Sequence, residues 1–396
     1  MVRRTPIQIV VIRDKSDDQT NAYVSAIELA FEGRSRQAKG APRYLCDAID
    51  LQMHVLEPDL AHPTFDAAKL LEAAAHTIVV ELRSGLNATR SAEQQAFFAR
   101  LAAEQLVDEA QQLTVTLPEP RVGGRLQLAT TGADEVENSL LPAATALHAL
   151  ELARRTLAAA LPAPSPEVGG SRLNFFISHS KLDGIPATLS LTGLMRRLRD
   201  LGAAASSSGM TTRFPYFYDV ESIAPGADWR KALEAKARSS VLIALRTDEY
   251  QNRYWCRMEY QWAEQTGVPI VVADLRTGQF QAADRLPFGT AVALRLSDGN
   301  LLRLILHACA SHVRFLRDRY MAAHSQQGDW EVLPRHPTAL SLAGALGRLN
   351  TGRKPGPGAR IYYPPPRLPA AYIEAIKPML ARMQIPVKLR SMDQLD

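Results

Sequence analysis

The residues best placed to do chemistry lie in one short run, Tyr254-Trp255-Cys256-Arg257-Met258-Glu259-Tyr260. The pattern predicts a helix over about residues 255–265, which sets Glu259 in the first turn, where the helix dipole favours an ionised carboxylate. Trp255 precedes Glu259 by four positions, so indole and carboxylate share one helical face. A preorganised carboxylate stabilises positive charge that develops in a transition state more than it stabilises the ground state. The indole beside it can support a planar ring or wall off water. The alternative reading is a solvated surface carboxylate next to a packing tryptophan.

The elements that must position these residues follow from short apolar runs alternating with helical patterns. Leu173–Ile177, Phe217-Tyr218, Val241–Leu245 and Pro269–Ala273 read as strands. Helices are expected at 189–201, with Leu191, Leu194, Met195 and Leu198 on one face, at 229–236, and at 255–265. That rhythm implies a parallel sheet covered on both faces. Ligands of such sheets bind beyond the carboxyl ends of the strands. The candidate residues all fall in loops or helix starts at that edge: Ser178, His179 and Ser180 after the first strand, Asp219, Glu221 and Gly226 after the second, and Glu259.

Three segments together resemble the bacterial TIR (Toll/interleukin-1 receptor) family. Phe175-Phe176-Ile177-Ser178-His179-Ser180 is similar to its opening strand and loop, and residues 217–229 to its second strand and BB loop. The third segment, Trp255-Cys256-Arg257-Met258-Glu259, resembles the WCxxE helix start of the NAD+-cleaving members. Arg285–Gly289 resembles a later loop. The resemblance implies a flavodoxin-like doubly wound parallel sheet over 172–320 and NAD+ glycohydrolase activity with Glu259 catalytic. Nicotinamide leaves as an already cationic group, and the carboxylate steadies an oxocarbenium-like ribose. It further implies substrate contacts from Trp255, Ser178, His179, Ser180, Asp219, Glu221 and Gly226. His179 departs from the aromatic or arginine that many relatives carry, and its alternative is a loop histidine. Gly226 can equally be a plain turn glycine. Cys256 reads as packing, and Trp229 as a core anchor of its helix. NAD+ is substrate here, and no other cofactor is expected.

Around this domain, Pro162–Ser171 reads as a linker, and the Pro/Gly-dense stretch 351–358 as a second break. Residues 1–161 form an expected second α/β domain, with strands at Ile7–Ile12, Leu51–Val55 and Thr77–Leu82 and helices at 22–32, 67–75 and 140–158. Lys69–Val80 parallels Lys231–Ile243. Arg125–Ala129 followed by helix 140–158 parallels Ala293–Leu296 followed by helix 301–317. These parallels suggest a degenerate TIR-like repeat, the alternative being an unrelated α/β domain of the same rhythm. The repeat has no Trp-Cys-x-x-Glu, so it is expected to be silent, serving as sensor, scaffold or partner surface. Residues 321–396 are expected to add strand 360–363, helix 370–383 and strand 387–389, packed on one of the two sheets.

The whole chain sets outer bounds. A net charge of +5 with 46% hydrophobic residues suits a folded protein with an ordinary solvated surface. Only three cysteines, Cys46, Cys256 and Cys309, are present, far apart. They form no CxxC pair, which fits a reducing cytoplasm. The run Ile7–Ile12 is too short for a signal-peptide core, and no segment is long enough to span a bilayer. There is no GxxxxGK[ST] loop and no HExxH, so neither ATP hydrolysis nor a metal site is expected. Two other functions stay open: a non-catalytic TIR adaptor, and a nucleoside deoxyribosyltransferase-like enzyme, which shares the α/β layout and a catalytic Glu. Self-association through TIR domains and an activating partner at the N-terminal domain are further expectations. The sequence does not choose between ADP-ribose and a cyclic isomer as product.

Overall fold

The computed structural model describes residues 5–12, 23–27, 52–56, 74–83, 95, 98–99, 112–116, 134–161, 173–180, 191–201, 216–217, 228–276, 293–295, 298–325, 328–350, 356, 358–382 and 387–395. It is mixed α/β, with three parallel sheets among these residues. The chain divides into two compact units, residues 1–157 with 196–213, and residues 158–195 with 214–396.

In the N-terminal unit, β1 (Thr5–Ile12), β2 (Gln52–Leu56), β3 (Ala74–Arg83) and β4 (Gln112–Thr116) form one sheet in the order β2-β1-β3-β4. All pairings are parallel. Ile7, Ile9, Val10, Val11 and Ile12 on β1 and Ile78, Val79, Val80 and Leu82 on β3 are buried. Continuous apolar runs of this kind mark strands covered on both faces. The expected helix at 67–75 is corrected at its end: Ala74 and Ala75 open β3, with Ala74 paired to Thr5 of β1. Strand pairing there overrides the helix preference of alanine. Helix α1 (Asp134–Ala160) contains the expected helix 140–158 and starts earlier. Tyr23, in the helical segment 23–27, shares a 2.6 Å hydroxyl contact with Thr145 of α1. The linker 162–171, the strand 125–129 and the rest of helices 22–32 and 67–75 lie outside the described residues.

In the C-terminal unit, β5 (Phe175–His179), β6 (Tyr216–Phe217), β7 (Val241–Arg246), β8 (Ile270–Asp274) and β9 (Ala293–Arg295) form a parallel sheet in the order β6-β5-β7-β8-β9. Every residue of β7 is buried. Helix α2 (191–201), whose residues from 196 onward are assigned to the other unit, buries Leu191, Leu194, Met195 and Leu198, the face its spacing predicts. Helix α3 (Trp229–Ser239) is capped by the Asp228 carboxylate, which accepts from Lys231 N at 3.2 Å. Helix α4 (Tyr254–Thr266) ends on Gly267 with φ +80°, the left-handed cap that suits glycine. A long helix, α5 (Asp298–Ser325), follows β9.

The last segment does not extend either of these sheets. β10 (Trp330–Val332), α6 (Ala339–Leu349), β11 (Ala359–Tyr363), α7 (Ala370–Arg382) and β12 (Val387–Ser391) form a third parallel sheet, ordered β10-β11-β12. Its own core joins Leu333, Leu342, Ala345, Leu346, Ile361, Tyr363 and Leu380. This lobe docks through α6 onto α4: a Cβ at Gly344 would stand 1.9 Å from the Gln265 carbonyl oxygen. Only glycine permits so close an approach. Among the described residues no helix is long and apolar enough to cross a membrane.

Candidate active site

The apolar strand β5 ends in polar residues at its carboxyl edge, with Ser178 beside Ala244 of β7. The small alanine leaves the serine hydroxyl room to reach across the sheet end. β7 leads through a turn into the short 3-10 segment Tyr250–Asn252 and then into α4. This path brings Tyr250 and Glu259 to Ser178, which precedes them by 72 and 81 positions. Ser178 Oγ donates to Glu259 Oε2 at 2.5 Å, and Tyr250 OH lies 2.6 Å from Ser178 Oγ.

Proton counting fixes the direction of this relay. A serine hydroxyl has one proton, and here it goes to the Glu259 carboxylate. Tyr250 must therefore donate to Ser178. Burial, together with the neighbouring Cys256 and Glu259, pushes the Tyr250 phenol well above its ordinary range, so it keeps its proton. Two hydroxyls thus aim one carboxylate, and hydrogen bonds to an ionised acceptor are the strong ones. Glu259 is 6% exposed, so its carboxylate does not point into bulk water.

The expected reason for its ionisation needs correction. Helix α4 begins at Tyr254, and no acidic residue stands in its first turn. Glu259 lies five positions after that start, where the dipole effect has faded. What stands at its carboxylate instead is the Ser178 hydroxyl.

Cys256, 4% exposed, donates its thiol to the His179 carbonyl at 3.3 Å. It is a packing residue, as its sequence context suggests, and it ties α4 to the end of β5. His179 is half-buried and Ser180 is buried. Trp255 is half-buried in an aromatic group, with ring centroids 4.4 Å from Trp229, 4.9 Å from Tyr254 and 6.5 Å from Trp262. Trp229 is 47% exposed, which overturns its reading as a core anchor. It is the first residue of α3, and its side chain leans on Trp255 from the surface. Asp219, Glu221 and Gly226 lie outside the described residues.

Tyr250 escaped the sequence reading. An aromatic residue four positions before the Tyr254 helix start is a signal only once the sheet edge is known. The Ser178 hydroxyl is turned to Glu259 and Tyr250. Among the described residues no group of three or more His, Cys, Asp or Glu side chains could hold a metal ion. No protein-family model matches the chain, and no curated protein matches it.

Proposed function

We propose that the five-stranded lobe is a flavodoxin-like TIR domain that hydrolyses NAD+ at its nicotinamide–ribose bond, with Glu259 as the catalytic carboxylate. One observation carries the reading: a buried glutamate aimed by a serine–tyrosine hydroxyl relay at the carboxyl edge of a parallel sheet. The strand order β6-β5-β7-β8-β9 supports it, being the 2-1-3-4-5 order of flavodoxin-like sheets, whose ligands bind at the carboxyl edge.

The chemistry needs little from the protein. The C1′–N1 bond breaks with its electron pair passing to the pyridinium ring, so nicotinamide leaves neutral without a general acid. The ribose carries the resulting oxocarbenium charge, as in other glycosyl transfers. Glu259, held ionised near the sugar, stabilises that charge selectively in the transition state. Water then adds to C1′ and loses a proton, giving ADP-ribose, or an internal nucleophile closes a cyclic isomer. Ser178 and Tyr250 orient the carboxylate, Trp255 borders the leaving ring, and His179, Ser180, Asp219, Glu221 and Gly226 complete the substrate surface. Assembly through the TIR domains switches the enzyme on in a bacterial defence or signalling setting. The N-terminal unit, with the strand order 2-1-3-4, is a silent TIR-like repeat that receives the activating partner.

Nicotinamide release from NAD+ by concentrated full-length protein tests this, with Glu259→Ala alongside. Loss of release in the variant supports the reading. Equal release by both proteins removes Glu259 as catalyst, no release under assembling conditions favours an adaptor, and nucleoside base exchange favours a deoxyribosyltransferase-like enzyme.

A further inference from the structure

The C-terminal lobe grips the helix that carries Glu259 at the residues immediately beyond it. Arg335, in the loop between β10 and α6, is 6% exposed and donates from Nη1 to the Tyr260 hydroxyl at 2.7 Å. Its guanidinium carbon lies 5.2 Å from the centre of the Tyr260 ring. Arg335 Nη2 stands 3.0 Å from Glu264 Oε1, close enough for an ion pair without a hydrogen bond. The Glu264 side chain is fully buried, and among the described residues its Oε2 has no hydrogen-bond partner. Thr338, the N-cap of α6, accepts from Ser341 N at 3.1 Å and donates its own hydroxyl to Glu264 Oε1 at 2.5 Å. Arg348 of α6 donates to the Gln265 carbonyl at 2.7 Å, beside the Gly344 contact.

These contacts lie on a different face of α4 from the catalytic one. At 3.6 residues per turn, Tyr260 and Glu264 stand about 100° and about 140° around the helix from Glu259. One side of α4 is therefore fixed by Ser178 on the sheet, and the other by Arg335 from the lobe. Two such attachments set how far the helix rotates and slides, and hence where the Glu259 carboxylate points. A buried carboxylate whose cationic partner is withdrawn is left uncompensated. Glu264 consequently makes the grip obligatory rather than optional.

We propose that Arg335 is a positioning residue for Glu259, so that the seating of the C-terminal lobe on α4 governs turnover at a site the lobe itself does not enter. The proposal rests on the NAD+ reading for its kinetic consequence and on the hydrogen bonds alone for its mechanical one.

Both consequences are read on the full chain. Tyr260→Phe removes one hydroxyl and keeps the packing. Arg335→Lys keeps the charge but loses the fork, and Arg335→Met with Glu264→Gln removes both charges together. Backbone amide exchange over residues 256–266 is measured with kcat and KM for nicotinamide release, and Glu374→Gln, at an exposed pair on α7, serves as control. Each of the three test variants is expected to speed exchange in this stretch and to lower kcat about tenfold with KM within about twofold, the pattern of a misplaced catalytic group. The control is expected to change neither. Unaltered exchange and unaltered kcat in Tyr260→Phe and Arg335→Lys overturn the proposal. A rise in KM with kcat kept also overturns it, because that is lost binding. If wild-type protein releases no nicotinamide, the glycohydrolase reading fails, and the exchange data alone decide whether the lobe holds the helix.

Discussion

The two larger sheets share the order of their first four strands but differ in how each treats a buried carboxylate near its carboxyl edge. In the N-terminal unit Glu81 sits on strand β3 itself, 2% exposed, with Arg83 Nη2 at 2.9 Å and Thr114 Oγ1 donating at 3.2 Å. In the C-terminal unit Glu259 comes from a helix after the corresponding strand and is aimed by Ser178, which Tyr250 supports. An arginine cancels the field of Glu81 where it arises. Glu259 is oriented by a hydroxyl relay from Ser178 and Tyr250. On the proposed reading the same topology carries one structural carboxylate and one that does chemistry, because function belongs to the site rather than to the fold.

The largest expected effect separates these two glutamates. Glu259→Gln keeps the acceptor for Ser178 but removes the charge, and is expected to lower kcat for nicotinamide release by about 100- to 1,000-fold. Thermal unfolding of that variant should stay close to wild type. Glu81→Gln should do the reverse: turnover within about twofold, with stability lower by about 3 kcal/mol in denaturant titration as Arg83 loses its partner. Loss of turnover in Glu81→Gln would break the comparison.

Acid provides a test in which the two units should behave alike. Burial and the nearby Arg155 lower the His148 pKa to about 4, against an opposing pull from Glu151. Burial and Arg314 lower that of His307 to about 4. Each histidine therefore stays neutral when folded, while the unfolded chain takes up a proton below about pH 6.5. The stability they contribute is complete above about 6.5 and is lost as pH falls towards 4, by about 3 kcal/mol each. His148→Gln and His307→Gln should each flatten the fall in unfolding free energy between pH 6.5 and 4. An unchanged slope in either would show that its histidine titrates normally.

Smaller effects sharpen the role of the relay. Ser178→Ala removes the donor to Glu259 and should reduce kcat about tenfold with KM nearly constant, equivalent to one lost charge-assisted hydrogen bond. Tyr250→Phe, one step further away, should cost less, about threefold. A steeper loss in Tyr250→Phe than in Ser178→Ala would reverse the assigned order of the relay.

What the sequence made legible follows from range. Strands β1, β5, β7 and β8 announce themselves because parallel strands covered on both faces are unbroken apolar runs. Trp255 and Glu259 share a face because helical spacing is local. Ser178 and Glu259 are 81 positions apart and Ser178 and Tyr250 are 72 apart, so no local pattern pairs them. Strand β10 was missed because it is three residues long with Glu331 at its centre. Helix α6 was missed because Gly344 and Gly347 weaken its helical pattern, although Thr338 and Ser341 form a capping box that marks its start. The reason for Gly344 lies in the backbone of another helix, which no reading of its own segment could supply.

The measurement that bears most directly on this account is NMR of NAD+ incubated with concentrated full-length protein, wild type beside Glu259→Gln, following the nicotinamide and ribose anomeric signals. The expected result is NAD+ consumed by the wild type with one free nicotinamide per ADP-ribose or cyclic isomer formed, and NAD+ left intact by the variant. Equal consumption by the two proteins would contradict it.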